Sequence, residues 1–262
     1  MIPSIFKSAR KIVFKFGSGT LTDSGGYIEP EFLKEFAIQC AGLIKQGKQV
    51  VIVSSGAQAA GLSAMKKWAR KKDIHYRQAL CAVGQVELMR AWSKAFACCN
   101  LNVAQILLTR DDFGDGVRTL NMRNTLFTLV DEGIIPIINE NDTVGVEEIK
   151  IGDNDTLAAL SAILWSADLL VLFSDIDGLY NKNPATNPDA VFIEKVTDID
   201  AVVKTISMEG TSGFGTGGVA TKITAAKEAT GYGIPTIITR GKPAAVESLC
   251  GGLQRGTLFL TN

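Results

Sequence analysis

Residues 212–222 have the composition of a phosphate-binding loop, because they combine closely spaced glycines with a lysine. Four glycines fall within the six positions from Gly213 to Gly218, and Lys222 follows in the first turn of a predicted helix. Glycine has no Cβ, so backbone N–H groups can turn toward a ligand that approaches closely. The start of a helix adds unpaired N–H groups and a positive dipole end, which favour an anion. We therefore predict an anionic ligand at this loop.

Two common phosphate motifs do not explain the loop. Gly213, Gly215 and Gly218 match G-x-G-x-x-G, but the dinucleotide-binding version directly follows a strand and has an acidic residue about twenty residues further on. The sequence around this loop has neither feature. A Walker loop needs lysine directly after its second glycine, where Val219 stands. A flexible connection has the same composition, so the interpretation depends on residues elsewhere.

A second lysine, Lys15, ends an apolar segment that is predicted to be a buried strand, Lys11–Phe16. A lysine in that position requires a negative partner, because an unpaired buried charge is costly. Small and hydrogen-bonding residues also follow the other predicted strands, at the edge where open α/β sheets bind ligands. Ordinary loops favour the same residue types, which accounts for some of these segments but not for Lys15.

A third group, Gly152-Asp153-Asn154-Asp155, stands just before a predicted helix. Asp153 or Asn154 could cap this helix, with Asp155 in the first turn. That role still leaves one polar side chain to organise a cation or a lysine. Together with Lys15 and Lys222, these residues favour phosphoryl transfer, which depends chiefly on positioning and electrostatic stabilisation. In this hypothesis the two lysines flank a γ-phosphate, and Mg²⁺ bridges the nucleotide oxygens.

The sequence offers no evident general base for this chemistry. An acceptor that is already ionised at neutral pH, such as a carboxylate with a pKa of about 4, needs none. An alcohol would need one. An acceptor that is already ionised, such as a carboxylate, therefore fits the sequence better than an alcohol does.

The elements that must position these residues alternate between short β-branched segments and helical patterns. This alternation predicts an α/β fold, a mostly parallel sheet covered by helices on both faces. With no linker or repeat in the sequence, we expect a single domain over residues 1–262. The predicted strands are 11–16, 49–53, 103–108, 134–138, 169–173, 236–238 and 257–260. The predicted helices are 31–44, 78–96, 123–131, 156–164, 223–229 and one that begins at Pro243.

Composition excludes several classes of function. Lys plus Arg equals Asp plus Glu at 27 each, so nucleic acid or an anionic membrane is not expected as the main partner. The most apolar segment, 157–173, is interrupted by polar residues and is predicted to be a buried helix and strand rather than a membrane span. The first residues lack the apolar core of a signal peptide.

Cysteine and histidine usage points to a reduced, cytoplasmic protein. The five cysteines form no C-x-x-C pair and are predicted to be small core residues: Cys40, Cys81, Cys98, Cys99 and Cys250. The single histidine, His75, lies in a polar segment and is predicted to be a surface residue. One histidine is too few for a histidine-rich metal site, and a histidine-based catalytic triad is not expected.

Over nearly its whole length the chain resembles the amino acid kinase family. The matching segments are 15–18, 54–57, 82–85, 107–110, 138–142, 152–155, 177–180 and 215–222. Asn-Glu-Asn-Asp at 139–142, Gly-Asp-Asn-Asp at 152–155 and the Gly-Thr-Gly-Gly loop at 215–218 are together typical of one branch. Its members phosphorylate the side-chain carboxylate of free glutamate in the first step of proline biosynthesis. The resemblance implies a three-layer αβα sandwich and a homo-oligomer, a dimer or a tetramer.

The resemblance also implies a catalytic role for individual residues. Lys15 and Lys222 would stabilise the transferring phosphoryl group, Asp155 would hold both lysines in place, and Asp153 would be a second organiser. ATP is implied as the co-substrate with Mg²⁺, bound mainly by the C-terminal part of the chain. The implied ATP-binding residues are Lys15, Ser174, Asp175, Thr216, Gly217, Gly218, Val219, Ala220, Thr221 and Lys222.

The N-terminal part is implied to bind L-glutamate. Ser55, Asp142 and Asn154 would contact this substrate, with Asp142 facing its α-ammonium group. Feedback inhibition by proline follows by analogy with the family. Many relatives carry a C-terminal PUA domain, and a chain that ends at Asn262 is expected to lack one.

Two other functions remain open at this stage. A sibling kinase could act on acetylglutamate, aspartate, carbamate or a nucleoside monophosphate. Asp142 bears on that choice, because an acetylated nitrogen carries no charge to pair with it. A non-catalytic nucleotide sensor or storage protein is the other alternative, against which Lys15, Lys222 and Asp155 argue.

Overall fold

The computed structural model describes residues 1–23, 25–66, 70, 72–145, 154–184, 186–208 and 218–260, without the side chains of 205–208. Within these residues the strands are β1 (Lys11–Phe16), β2 (Gln49–Ser54), β3 (Val103–Leu108), β4 (Ile135–Glu140), β5 (Leu169–Ser174), β6 (Leu179–Tyr180), β7 (Phe192–Ile193), β8 (Lys195–Val196), β9 (Thr236–Arg240) and β10 (Thr257–Phe259). The helices are α1 (Ile2–Ser8), α2 (Ser18–Leu21), α3 (Pro30–Lys45), α4 (Ala57–Met65), α5 (Ile74–Ala97), α6 (Gly116–Asp131), α7 (Asn154–Trp165), α8 (Ile199–Met208), α9 (Gly218–Gly231) and α10 (Ala245–Cys250), with a 3₁₀ turn at Arg110–Gly114.

Eight strands form one sheet in the order β3-β4-β2-β1-β5-β9-β10-β8. Every pairing in it is parallel except that of β9 with β10, which is antiparallel. The central strand β1 pairs with β2 on one side and with β5 on the other. The chain therefore builds one half of the sheet outward from β1 and then returns to β1 to build the other half. Such a switch point opens a crevice at the carboxyl ends of the strands, where ligands bind in α/β proteins.

Helices cover both faces of the sheet. Alternate residues of β1 divide between two apolar clusters, with Phe14 and Phe16 in one and Val13 in the other. The first cluster packs beneath α1, α3, α5 and α10, and the second beneath α6, α7 and α9. Because side chains alternate along a strand, a continuous apolar strand supplies both layers at once. The three-layer αβα sandwich is thus confirmed.

The seven strands expected from the sequence are all present, each within two residues of its predicted ends. Helices were placed less well. α5 begins four residues before the predicted start, and α6 begins seven residues before it. Aspartates Asp73 and Asp115 cap these helices by accepting backbone N–H groups. The prediction relied on apolar periodicity and missed both caps.

The last two helices also differ from the prediction. The final helix begins at Ala245 rather than at Pro243. Helix α9 begins at Gly218, five residues before the predicted start, so Lys222 lies at the beginning of the second turn and not in the first.

The cysteine prediction was correct for two residues and wrong for three. Cys40 and Cys81 are buried, whereas Cys98 and Cys250 are exposed and Cys99 is intermediate. The exposed residues lie at or beyond helix ends, where no apolar periodicity places them against the sheet. His75 is exposed, as predicted. None of the described helices combines the length and apolar character needed to cross a lipid bilayer.

Candidate active site

The structure brings Lys15 and Lys222 to opposite oxygens of a single carboxylate, that of Asp155. Lys15 Nζ lies 2.6 Å from Asp155 Oδ1, and Lys222 Nζ lies 3.1 Å from Asp155 Oδ2. All three side chains are buried, with exposed fractions of 4% for Lys15, 10% for Lys222 and 1% for Asp155. The two lysines expected to share a phosphate therefore meet at one acidic side chain.

Strand periodicity determines where Lys15 points. Val13 packs beneath α7 and α9, and Lys15 is two residues further along β1, on the same face of the sheet. Lys15 pairs with Val53 of β2 and Leu172 of β5, so it stands at the centre of the sheet near its carboxyl edge. The partner required by its burial comes from the helix above it.

Asp155 lies in the first turn of α7, where the helix dipole favours a negative charge. Burial alone would raise the pKa of this carboxyl group. The positive charges of Lys15 and Lys222 outweigh burial, helped by hydrogen bonds from Lys15 and Thr221, and hold the Asp155 pKa below its ordinary value. Asp155 is thus a carboxylate at neutral pH.

Lys222 projects back toward the start of α9. Its Nζ donates to the Gly218 carbonyl at 3.0 Å as well as to Asp155, and the Thr221 hydroxyl donates to the same Asp155 oxygen at 2.8 Å. Burial lowers the pKa of Lys222 most strongly; the Asp155 carboxylate opposes this, and the positive charge of Lys15 adds to it. The resulting pKa is below the ordinary lysine value. One carboxylate incompletely compensates two ammonium groups.

This arrangement suits the transfer of a phosphoryl group. Two ammonium groups and one carboxylate leave one positive charge unbalanced, and an incoming terminal phosphate would supply its partner. Charged donors that are already oriented need little rearrangement as negative charge develops in the transition state. Asp155 provides that orientation through its contacts with both lysines.

A second cluster of buried polar groups adjoins Asp155 through its neighbour in sequence, Asn154. Asn154 Nδ2 donates to Ser55 Oγ at 2.7 Å and to Asn139 Oδ1 at 3.0 Å. Asn139 Nδ2 in turn donates to Gln85 Oε1 at 2.8 Å. This network ties the ends of β2 and β4 to the start of α7 and to α5.

The network lines a cleft. Its described walls are formed by Ser18, Ser55, Gly56, Ala57, Gln58, Arg77, Cys81, Asn139, Asp142 and Asn154. The three residues predicted to bind the amino acid, Ser55, Asp142 and Asn154, therefore share one cleft. Because Asn154 lines the cleft and Asp155 holds the lysines, an acceptor in the cleft would lie beside the phosphoryl site.

The residues expected to contact ATP are only partly described. Ser174 ends β5, and its hydroxyl donates to the Asp175 carboxylate at 3.0 Å. The negative charge of Asp175 opposes the lowering of the Lys222 pKa. Gly218, Val219 and Ala220 form the first turn of α9. Asp153, Thr216 and Gly217 lie outside the described residues.

Two polar residues of the cleft, Arg77 and Gln58, were not singled out from the sequence. The contact of the Thr221 side chain with Asp155 was not anticipated either. Arg77 lies in a polar, lysine-rich part of the sequence that is typical of a solvated surface. The only available signal was the Asp73 cap, which starts α5 early enough to bring Arg77 into its first turn.

Comparison with known proteins agrees with this geometry. The model of the amino acid kinase family matches residues 10–240. A glutamate 5-kinase from Alkaliphilus metalliredigens is 56% identical over 260 residues, which cover 99% of this chain and 98% of that protein. A glutamate 5-kinase from Treponema pallidum (strain Nichols) is 42% identical, with 99% of each chain covered. One from Pelobacter propionicus is 45% identical, and there the match covers 98% of this chain and 69% of the relative.

Solved structures share the fold at low sequence identity. Carbamate kinase from Giardia lamblia, bound to AMP-PNP, has a TM-score of 0.68 at 17% identity, with 98% of this chain and 100% of that chain covered. UMP kinase from Ureaplasma parvum has a TM-score of 0.66 at 17% identity, with 96% and 99% covered. These structures support the architecture, and the sequence relatives support the branch. The chain belongs to the amino acid kinase family and, within it, to the glutamate 5-kinases.

Proposed function

We propose that this protein transfers the γ-phosphoryl group of ATP to the side-chain carboxylate of L-glutamate. The product is L-glutamyl 5-phosphate, and the reaction is the first step of proline biosynthesis. The observation that carries the proposal is the contact of Asp155 with both Lys15 and Lys222, next to a polar cleft that contains Asn154. The names of the relatives identify glutamate as the acceptor.

The reaction follows from these positions. A side-chain carboxylate oxygen of glutamate attacks the γ-phosphorus, and the bond from that phosphorus to the β,γ-bridging oxygen breaks, which releases ADP. The attacking group is already an anion, so no proton has to be removed. Lys15 and Lys222 stabilise the charge on the transferred group, and Asp155 keeps both lysines at that point.

ATP is the co-substrate, and Mg²⁺ accompanies it. Both Asp155 oxygens already contact donors from this chain, so Asp155 organises the lysines rather than a metal ion. Mg²⁺ binds phosphate oxygens readily and keeps several waters. When bound with the nucleotide it would neutralise part of the phosphate charge.

Asp142 favours glutamate over acceptors without a free amine. Its side chain is buried and lines the cleft. A carboxylate in that position stabilises an α-ammonium group and offers nothing to an acetylated nitrogen. This favours a free amino acid over acetylglutamate, carbamate or a nucleotide as the acceptor.

Three further properties belong to this proposal and are supported by the family resemblance. They are assembly as a homo-oligomer, feedback inhibition by proline and a cytoplasmic location. The five cysteines, which form no disulfide in the structure, are compatible with a reducing compartment.

The proposed function can be tested by trapping the acyl phosphate. Hydroxylamine converts an acyl phosphate to a hydroxamate, so purified protein with MgATP and glutamate should form glutamyl hydroxamate and ADP in equal amounts. Aspartate, acetylglutamate, carbamate and UMP should each react far more slowly at the same concentration. A faster reaction with any of them would replace the proposed substrate, and ATP binding without turnover would point to a nucleotide sensor.

A further inference from the structure

The cleft beside Asp155 has one anionic and one cationic residue in its described lining, Asp142 and Arg77. A free α-amino acid carries the complementary pair on its α-carbon, an ammonium group and a carboxylate. Asp142 accounts for the ammonium group. The α-carboxylate still requires a positive partner, since the two lysines at Asp155 serve the opposite end of the substrate.

The Arg77 guanidinium is positioned to be that partner. Its Nε donates to Gln58 Oε1 at 2.8 Å, and the side chain is half-buried. Neither terminal nitrogen donates to any residue that the structure describes, so both remain available to a ligand. A guanidinium held at Nε presents its terminal nitrogens in a plane, which matches the two oxygens of a carboxylate.

Gln58 and Arg77 come from two helices whose separation is tightly fixed. α4 carries Gln58 and α5 carries Arg77, and the two helices touch through Gly61 and Gly84. A Cβ on Gly84 would overlap the Ala57 carbonyl oxygen and the Gly61 nitrogen. The absence of side chains at this crossing lets the helix backbones approach each other closely. Gln58 lies one turn before Gly61, so the crossing sets its distance from Arg77.

The residue after Arg77 ties this helix to the loop that carries Asp142. Gln78 Nε2 donates to the Asp142 carbonyl at 3.0 Å. The N-terminal part of α5 therefore carries the cationic side chain of Arg77 and also supports the backbone of Asp142. Both charged residues line the same cleft.

We propose that Arg77, oriented by Gln58, binds the α-carboxylate of the substrate and, with Asp142, selects acceptors that carry both an α-ammonium and an α-carboxylate. The inference rests on the proposed function and deepens it. Arg77 makes the protein discriminate between glutamate and otherwise similar carboxylic acids. Its contribution is to substrate binding, at a distance from the transferred phosphoryl group.

The test compares three acceptors in wild-type protein and in Arg77→Met. Isoglutamine has a neutral amide in place of the α-carboxylate, and glutarate keeps both carboxylates but lacks the ammonium group. Losing a charged hydrogen-bond partner is expected to raise the KM for glutamate by about tenfold to a hundredfold. The KM for glutarate should rise to a similar extent, whereas the KM for isoglutamine should change little.

Asp142→Asn supplies the opposite pattern. It should raise the KM for glutamate and for isoglutamine, which carry the ammonium group, and leave the KM for glutarate almost unchanged. Arg77→Lys should recover part of the glutamate affinity, because the charge returns without the planar fork. Arg90→Met is the matched control on the same helix, where Arg90 forms an exposed pair with Glu87 and should have no effect on the KM of any acceptor.

Gln58→Met tests the orienting contact. It should raise the KM for glutamate severalfold in the wild-type background and have no further effect when Arg77 is already Met. An equal effect in both backgrounds would show that Gln58 acts independently of Arg77.

The outcomes separate this inference from the proposed function. If wild-type protein forms no glutamyl hydroxamate, the proposed function fails and the inference fails with it. If wild-type protein does form it, an unchanged glutamate KM in Arg77→Met, equal losses for glutamate and isoglutamine, or a change confined to the KM for ATP would each overturn the role of Arg77 alone. Thermal unfolding of each variant at the wild-type temperature excludes a loss of fold as the cause.

Discussion

Asp155 and Lys222 lie in different helices, and their side chains meet at 3.1 Å beneath the protein surface. The second oxygen of the same carboxylate holds Lys15 at 2.6 Å. Transferring three charged groups out of water is costly, and attraction between them repays this only where the geometry is good. Such a cluster adds little to stability compared with an apolar core. In the proposed function, its value is that it would hold two cations where a phosphate can contact both.

Asp155→Asn should destabilise the protein because it leaves two buried ammonium groups without a counterion. Removing one partner of a buried ion pair costs about 3–5 kcal/mol. Urea unfolding at neutral pH measures the loss, and Asp200→Asn is the control, since its pair with Lys227 is exposed. The folded-state pKa of Asp155 lies below the ordinary 3.8, so its stabilisation is complete above that value and is lost as the pH falls through the lowered pKa. A difference between wild type and Asp155→Asn that persisted undiminished below the folded pKa would contradict this assignment.

Lys222→Met should reduce kcat by about a hundredfold or more, as expected for the loss of a charged donor to the transition state. Stability should be kept, because the methylene chain is replaced and Asp155 retains Lys15. Hydroxamate formation at saturating substrates gives kcat. Lys227→Met, in the same helix but 58% exposed, should be nearly normal. Turnover close to wild type in Lys222→Met would remove Lys222 from the catalytic group.

Activity should fall on the alkaline side at a pH lower than an ordinary lysine would allow. Burial and the neighbouring Lys15 lower the pKa of Lys222 from 10.5, against the opposing effect of Asp155. The active form is protonated, so activity is present below the folded-state pKa and is lost as the pH rises through it. This alkaline decrease is measured as the pH dependence of kcat/KM for ATP at saturating glutamate. In Lys222→Arg the alkaline decrease should move out of the measurable pH range, because a guanidinium stays charged. A decrease at an unchanged pH would show that another group causes it.

Asp142→Asn should raise the KM for glutamate by about tenfold or more, while the KM for ATP stays near its wild-type value. The buried Asp142 lines the cleft with Ser55 and Asn154, apart from the lysine cluster. Initial rates at varied glutamate and fixed ATP, and then the reverse, separate the two constants. An effect confined to ATP would mean that the two substrate sites have been exchanged.

Gly84→Ala should destabilise the protein by about 2 kcal/mol or more, because overpacking at a helix crossing forces the backbones apart. The added Cβ would overlap Ala57 and Gly61. The same change should raise the KM for glutamate, since it displaces Gln58 from Arg77. Gly42→Ala is the matched control in α3, where a Cβ has nothing within 4 Å and should stabilise the helix by up to about 1 kcal/mol. Equal stability of the two variants would show that the crossing tolerates a methyl group.

Local pattern was sufficient for seven of the eight strands of the main sheet. A strand such as Lys11–Phe16 is apolar on both faces, and that pattern predicts its burial under helices on either side. The same pattern made Lys15 conspicuous, because a charge in such a strand requires a partner. The shortest strands were missed because the prediction relied on the same periodic pattern. β6, β7 and β8 have only two residues each, too few to show any periodicity.

By itself, the sequence determined which residues could perform the chemistry and, through its motifs, the family they belong to. The burial and the function of a residue depend on neighbours that lie far away along the chain. Only the tertiary structure decided which residues are buried and which line the cleft. Cys98 was predicted to be a core residue and is exposed, and Arg77, for which no role was predicted, lines the cleft. Residue type and spacing are local properties, whereas the meeting of Lys15 with Asp155 and of Arg77 with Gln58 depends on how strands pair and helices cross.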